Sequence, residues 1–151
     1  MKVRLATLDD LPKIAELGRD MHEESTFATL DYDVEIVKAT IGRLINESQF
    51  VIVAENINGE VVGGMAGQVV PSWFGKDSVA NDMAIFISPG ERGGLRAVQF
   101  IEAFTLWAKL AGAKQVRPSV TTGHERAAEL YEAMGFTRCG ASFYMNLHQG
   151  E

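Results

Sequence analysis

Cysteine is almost missing from this 151-residue chain. Cys139 stands alone, so no intrachain disulfide can form and no cysteine-based metal cluster can assemble. Positive charge is also scarce: 14 Lys and Arg against 20 Asp and Glu leave a formal net charge of −6. That balance argues against a nucleic-acid partner, which calls for a basic face, and against an anionic membrane surface. Long apolar runs are lacking too. The longest uncharged stretch, Val61 to Gly75, is interrupted by glycines and a proline and falls short of the ~18–20 apolar residues of a membrane span. Near the start, Lys2, Arg4, Asp9 and Asp10 occupy positions where a secretory leader would be apolar. The expectation is a cytoplasmic protein with no metal.

Hydrophobic residues make up 46% and charged residues 23% of the chain, the balance of one ordinary globular domain spanning residues 1–151. Lys2 to Ala6 alternates as a short strand. Thr7 precedes Asp10 as a near capping box, and Pro12 follows early in a helix with Leu11, Ile14, Ala15, Gly18 and Met21 on one face. Asp31 or Asp33 caps a second helix striped by Val34, Val37, Ile41, Leu44 and Ile45. The period then changes to that of strands: Phe50 to Glu55, a turn at Asn58-Gly59, Val61 to Val70, and Val79 to Ile87. A long helix runs to about Ala111 and Gly112 stops it. Lys114 to Val120 reads as a strand, the segment around Ala127, Leu130, Tyr131 and Met134 as a helix, and Thr137 to Leu147 as a last strand. The order is β-αα-βββ-α-β-α-β, an α/β layer fold with a mixed central sheet flanked by helices.

The segment richest in chemistry is Ile85-Phe86-Ile87-Ser88-Pro89-Gly90-Glu91-Arg92-Gly93-Gly94-Leu95-Arg96-Ala97. A strand ends, a glycine-rich turn follows, and a helix begins at once. Helix N-termini expose unpaired N–H groups and partial positive charge, and glycines let a phosphate approach that backbone. Arg92 and Arg96 add charge on one helical turn. The segment is neither a Walker loop nor a G-x-G-x-x-G dinucleotide turn. The plainer reading is a tight strand-to-helix turn with solvated arginines.

A second segment stands about thirty residues downstream, His124-Glu125-Arg126-Ala127-Ala128-Glu129-Leu130-Tyr131-Glu132-Ala133-Met134-Gly135-Phe136. Ile85-x-Ile87-x-Pro89-x-x-Arg92-Gly93 and Leu130-Tyr131-x-x-x-Gly135-Phe136 together resemble the GCN5-related N-acetyltransferase (GNAT) family. The element order matches that fold from Val3 to Leu147. The resemblance implies that amides from Arg92 to Ala97, through Gly93, Gly94, Leu95 and Arg96, hold the pyrophosphate of acetyl-CoA. Leu95 stands where the family's loop usually has glycine. The resemblance further implies that Ile85 and Ile87 pair their backbone with the pantetheine arm, Ile87 N–H steadies the oxyanion, and His124 contacts the cofactor where asparagine is common. Tyr131 occupies the position of the general acid. A phenol can donate to a departing thiolate, and packing on the helix's inner face explains the same residue.

A primary amine attacks only when neutral, and its free pKa lies near ~10, so a carboxylate base is expected. Asp82 on the splaying strand is the first candidate, followed by Glu24 and Glu23. Trp73 and Phe74 read as an acceptor wall or as core, and His22 with Glu23 and Glu24 would suit a cationic acceptor. His148 and Cys139 carry no signal. The expected activity is acetyl-CoA-dependent transfer to a small-molecule or protein amine, by direct attack in a ternary complex. The alternatives are a non-catalytic acyl-CoA-binding module or sensor and, last, an interaction domain without CoA. A terminal strand would also offer an edge for a homodimer.

Overall fold

The computed structural model describes residues 2–92, 95–120 and 125–147. Five strands form one sheet in sequence order: β1 (Lys2–Leu5), β2 (Phe50–Glu55), β3 (Val61–Pro71), β4 (Ser78–Ile87) and β5 (Gln115–Arg117). The first three pairings are antiparallel and the last, β4 with β5, is parallel. Helices α1 (Leu11–Glu24), α2 (Val34–Asn46), α3 (Arg96–Leu110) and α4 (Glu125–Ala133) complete the fold. No helix among the described residues is long and apolar enough to cross a membrane.

The apolar run of β2 has a simple cause, since a strand covered on both faces needs no polar side. Phe50, Ile52 and Ala54 join Phe100, Ile101, Phe104 and Ala108 of α3 in one core cluster. Val51 and Val53 point the other way, into a cluster with Ile14 and Leu17 of α1 and Ile41 and Leu44 of α2. The sheet is therefore the middle of three layers. At its β1 edge, the capping box at Thr7 and Asp10 starts the first helical turn. Arg4 there donates to Glu55 at 2.6 Å and to both carboxylate oxygens of Asp10 at 2.8 and 2.9 Å. The guanidinium and the Thr7 N–H hold the Asp10 carboxyl below its ordinary range, so this tie is complete at neutral pH and loosens only in acid.

The glycines of β3 mark close approaches. A Cβ at Gly67 would lie 2.5 Å from the Phe104 ring, and one at Gly64 would meet the Ile52 carbonyl at 2.5 Å and the Phe86 ring at 2.8 Å. Phe104 of α3 therefore seats directly on the β3 backbone at Gly67, and Phe86 of the neighbouring strand β4 does so at Gly64.

Two expectations need correction. The strand expected over 114–120 pairs only through Gln115–Arg117, because Pro118 lacks the N–H that would extend the ladder. The strand expected over 137–147 does not form. Its alternation suits a strand, but no neighbouring edge pairs with it. Gly140 turns the chain at a φ of +145°, and Phe143, Tyr144, Met145 and Leu147 lie exposed. Side chains tie the segment to the body where Thr29 Oγ1 donates to Asn146 Oδ1 at 2.7 Å and Arg117 Nη2 donates to Cys139 Sγ at 3.4 Å.

Gly67→Ala should lower stability by about 1–3 kcal/mol through overpacking against Phe104, read as a shifted denaturant midpoint. In a Phe104→Leu background the same substitution should cost much less. Strictly additive losses would locate the strain elsewhere.

Candidate functional site

Strand β4 begins as an interior strand and ends as an edge. Its parallel pairing with β5 covers only Val79, Ala80 and Asn81; beyond them the two strands part. Register against β3 jumps at the same place, from Gly67 opposite Asp82 to Ala66 opposite Ala84, which leaves Met83 as the extra residue of a β-bulge. A bulge bends its strand and inverts the side-chain alternation that follows. Ala80, before it, packs in the α3-side core; so do Ile85 and Ile87, after it. Asp82 thus shares a face with Ala80, Ile85 and Ile87, while Ala84 and Phe86 turn to the α1-side core.

Backbone polarity follows from the same ladder. Ser88 N–H donates to the Val62 carbonyl at 2.8 Å. Hydrogen-bonded and non-hydrogen-bonded pairs alternate along antiparallel strands, so Ile87 and Ile85 aim their N–H and C=O groups away from β3. On that side β5 has already left. The Ile87 carbonyl accepts from Arg92 Nε at 2.9 Å, as this orientation requires.

The parting of the strands opens a cleft of about 520 Å³. One wall is β4 from Asp82 to Ile87. The others are Met21, Glu24, Ser25 and Phe27 from α1 and the turn after it, Glu91, Arg92, Arg96 and Ala97 from the loop and first turn of α3, Ser119 and Val120 after β5, and Ala127 and Tyr131 of α4. Of the residues expected from sequence, the fold gathers Asp82, Glu24, Tyr131, Ile85, Ile87, Arg92, Arg96 and Ala97 here. Leu95 is exposed and off the cleft. Gly93, Gly94, His124 and His148 lie outside the described residues.

Trp73 and Phe74 form neither an acceptor wall nor core. They pack edge-on against each other at 5.4 Å, 94% and 77% exposed, because the β3–β4 turn carries them past the end of the sheet. His22 also misses the cleft; its ring lies 5.1 Å from Tyr32. Glu23 is exposed.

One end of the cleft is organised around Ser119, which carries no motif. Its N–H donates to Asp82 Oδ2 at 3.1 Å and its hydroxyl to Oδ1 at 3.1 Å. Its carbonyl receives a long 3.5 Å contact from the Tyr131 hydroxyl. Burial raises the Asp82 carboxyl above its ordinary range, and the two Ser119 bonds offset part of that rise. Burial, and then the Asp82 charge, push the Tyr131 phenol up to about 12. At neutral pH the phenol keeps its proton and can donate a hydrogen bond. At the other end Arg92 and Arg96 are both held by glutamates: Arg92 Nη1 to Glu24 Oε2 at 2.9 Å, and Arg96 Nη2 to Glu91 Oε2 at 2.7 Å. Arg96 Nη1 is buried and finds no acceptor among the described residues.

No protein-family model matches the sequence, and no curated protein does. Solved structures do. A Trypanosoma brucei acetyltransferase superposes with a TM-score of 0.74 at 19% identity, over 97% of this chain and 99% of its own. A glucosamine-6-phosphate N-acetyltransferase from Arabidopsis thaliana superposes at 0.72 with 14% identity, over 99% and 98%. A Bacillus halodurans protein described as a transcriptional regulator gives 0.76 at 18%, over 97% and 99%. At such identities the likeness is one of fold. The fold is that of the GNAT acetyltransferases, as the two sequence motifs implied.

Because its folded-state pKa is raised, Asp82 contributes stability below its unfolded pKa that is lost as pH rises through the folded value. Asp82→Asn, which keeps an acceptor for Ser119, should therefore gain on the wild type in melting temperature between pH 4 and pH 7. A constant difference across that range would mean the carboxylate is not perturbed by burial.

Proposed function

We propose that the chain is an N-acetyltransferase that uses acetyl-CoA to acetylate a primary amine by direct attack in a ternary complex. The observation that carries this reading is the meeting of Asp82, Ser119 and Tyr131 with an unpaired β4 edge, in one cleft with two arginines.

The residues suit the cofactor. The outward backbone groups of Ile85 and Ile87 can accept an amide-bearing arm as a further strand would be accepted. Arg92, Arg96 with its unpartnered Nη1, and the N-terminus of the fifteen-residue helix α3 suit a pyrophosphate. When bound, acetyl-CoA supplies an activated acetyl thioester.

The chain's own groups then divide the work. Ile85 follows Asp82 more closely along β4 and Ile87 carries the Arg92 contact, so the Ile85 N–H is nearer the Asp82 end and Ile87 nearer the arginines. The oxyanion donor in this reading is Ile85 N–H, with Ile87 holding the arm. Asp82, held by the Ser119 amide and hydroxyl, takes the proton of the incoming ammonium directly or through water. Tyr131, at about 12, is a weaker acid than a free thiol near ~8.5. Its hydroxyl therefore steadies the leaving sulfur first as a hydrogen-bond donor. Met21, Phe27 and Met83 give the remaining wall an apolar lining.

Coenzyme A at a hundredfold excess over Kd should stabilise the fold by about 2.7 kcal/mol, a rise of roughly 5–10 °C in Tm for a domain of this size. The Arg92→Ala, Arg96→Ala double variant should lose that shift. Tyr131→Phe should keep it while turnover of an accepted amine falls at least about tenfold. No shift at millimolar CoA would overturn the reading. A full shift with no CoA release across an amine panel would favour the non-catalytic acyl-CoA-binding module.

A further inference from the structure

The arginines of the cleft are not waiting in solvent. Arg92 is fixed twice, by Nε to the Ile87 carbonyl at 2.9 Å and by Nη1 to Glu24 at 2.9 Å. The first contact lies on the exposed edge of β4 and the second spans the cleft to the C-terminal end of α1. A carboxylate on a guanidinium satisfies the same geometry and charge as a phosphate oxygen. Glu24 therefore occupies the position on Arg92 that an anionic ligand would need. Arg96 differs, because its Nη1 keeps no acceptor among the described residues even while Nη2 holds Glu91.

We infer that Glu24 is a positioning residue that acts through Arg92, an internal stand-in for phosphate that a bound coenzyme A must displace. The inference rests on the proposed cofactor site and adds to it. Glu24 serves not as the base that the amine needs but as the carboxylate that holds Arg92 against the strand until an anion replaces it. The released Glu24 remains beside Met21, Ser25 and Phe27, where it leaves a negative charge on the wall open to a cationic acceptor.

The sign of the effect separates this role from simpler ones. A residue that supports the site structurally weakens binding when altered. A competitor strengthens it. Glu24→Gln should tighten coenzyme A by about two- to five-fold in calorimetric titration, the range set by an exposed ion pair. Glu23→Gln removes the same charge from the neighbouring exposed position without touching Arg92, and it should change affinity less than Glu24→Gln does. In an Arg92→Ala background, Glu24→Gln should have no effect of its own. Equal changes in Glu23→Gln and Glu24→Gln would reduce the effect to general charge and overturn the inference, as would weaker binding by Glu24→Gln. If the wild-type chain binds no coenzyme A at all, the cofactor reading fails and this inference fails with it. Binding by the wild type with no Glu24 effect overturns the inference alone.

Discussion

Everything at the site depends on a strand that loses its partner half-way along. Val79, Ala80 and Asn81 are paired on both sides. From Asp82 onward β4 is paired on one side only, and its outward backbone groups must find other partners or stay with water. The bulge at Met83 sits at that transition. By inverting the alternation it places Asp82, Ile85 and Ile87 on the face that α3 and α4 cover, and by bending the strand it opens the gap into which Tyr131 and Ser119 look. Were Met83 paired in regular alternation instead of bulged out, Asp82 would share a face with Ala84 and Phe86 and not with Ile85 and Ile87. The chemistry of the cleft is thus a consequence of register.

A cleft between parting strands keeps its shape only if the paired part of the sheet does not yield. The β3 glycines supply that resistance. With Phe104 of α3 seated on Gly67 and Phe86 of β4 on Gly64, β3 packs without slack against the helix and against its own neighbouring strand. The Arg4–Asp10–Glu55 ties do the same at the far edge, where they join β1, β2 and the start of α1. The charged side chains of the site are thus carried on a frame of close-packed backbone and aromatic rings.

From the N-terminus to Ile87 the architecture was legible residue by residue. The run Phe50 to Glu55 is bounded in the structure where its composition ends, and Asp33 caps α2 with its own carboxylate. The last third was less so. Alternation in 137–147 states that the segment can be a strand but carries no information on whether an edge is offered to it, and β5 is too short to offer one. The site shows the same division. Arg92, Arg96 and Tyr131 lie in local motifs and could be read directly. Ser119 could not, because its importance comes from contact with Asp82, 37 positions earlier, and a serine between a proline and a valine has no distinguishing pattern. Nor was the bulge in β4 visible, since Met83 to Ile87 are apolar on both faces and a change of parity leaves no mark on such a run.

The electrostatics of the Asp82 end have one further consequence for the proposed reaction. Asp82 and Tyr131 are not independent, because the carboxylate charge is one of the two causes that hold the phenol near 12. Interacting groups titrate as a pair. When Asp82 takes a proton from the attacking ammonium, the charge that disfavours ionisation of Tyr131 disappears and the phenol becomes a stronger acid. That happens at the stage when the departing sulfur needs a donor. The Ser119 amide and hydroxyl, by holding Asp82 in place, tie the two events to one geometry. In the proposed reaction base and acid thus come from one cluster, Asp82, Ser119 and Tyr131, in which a change of charge on one member is felt by the other.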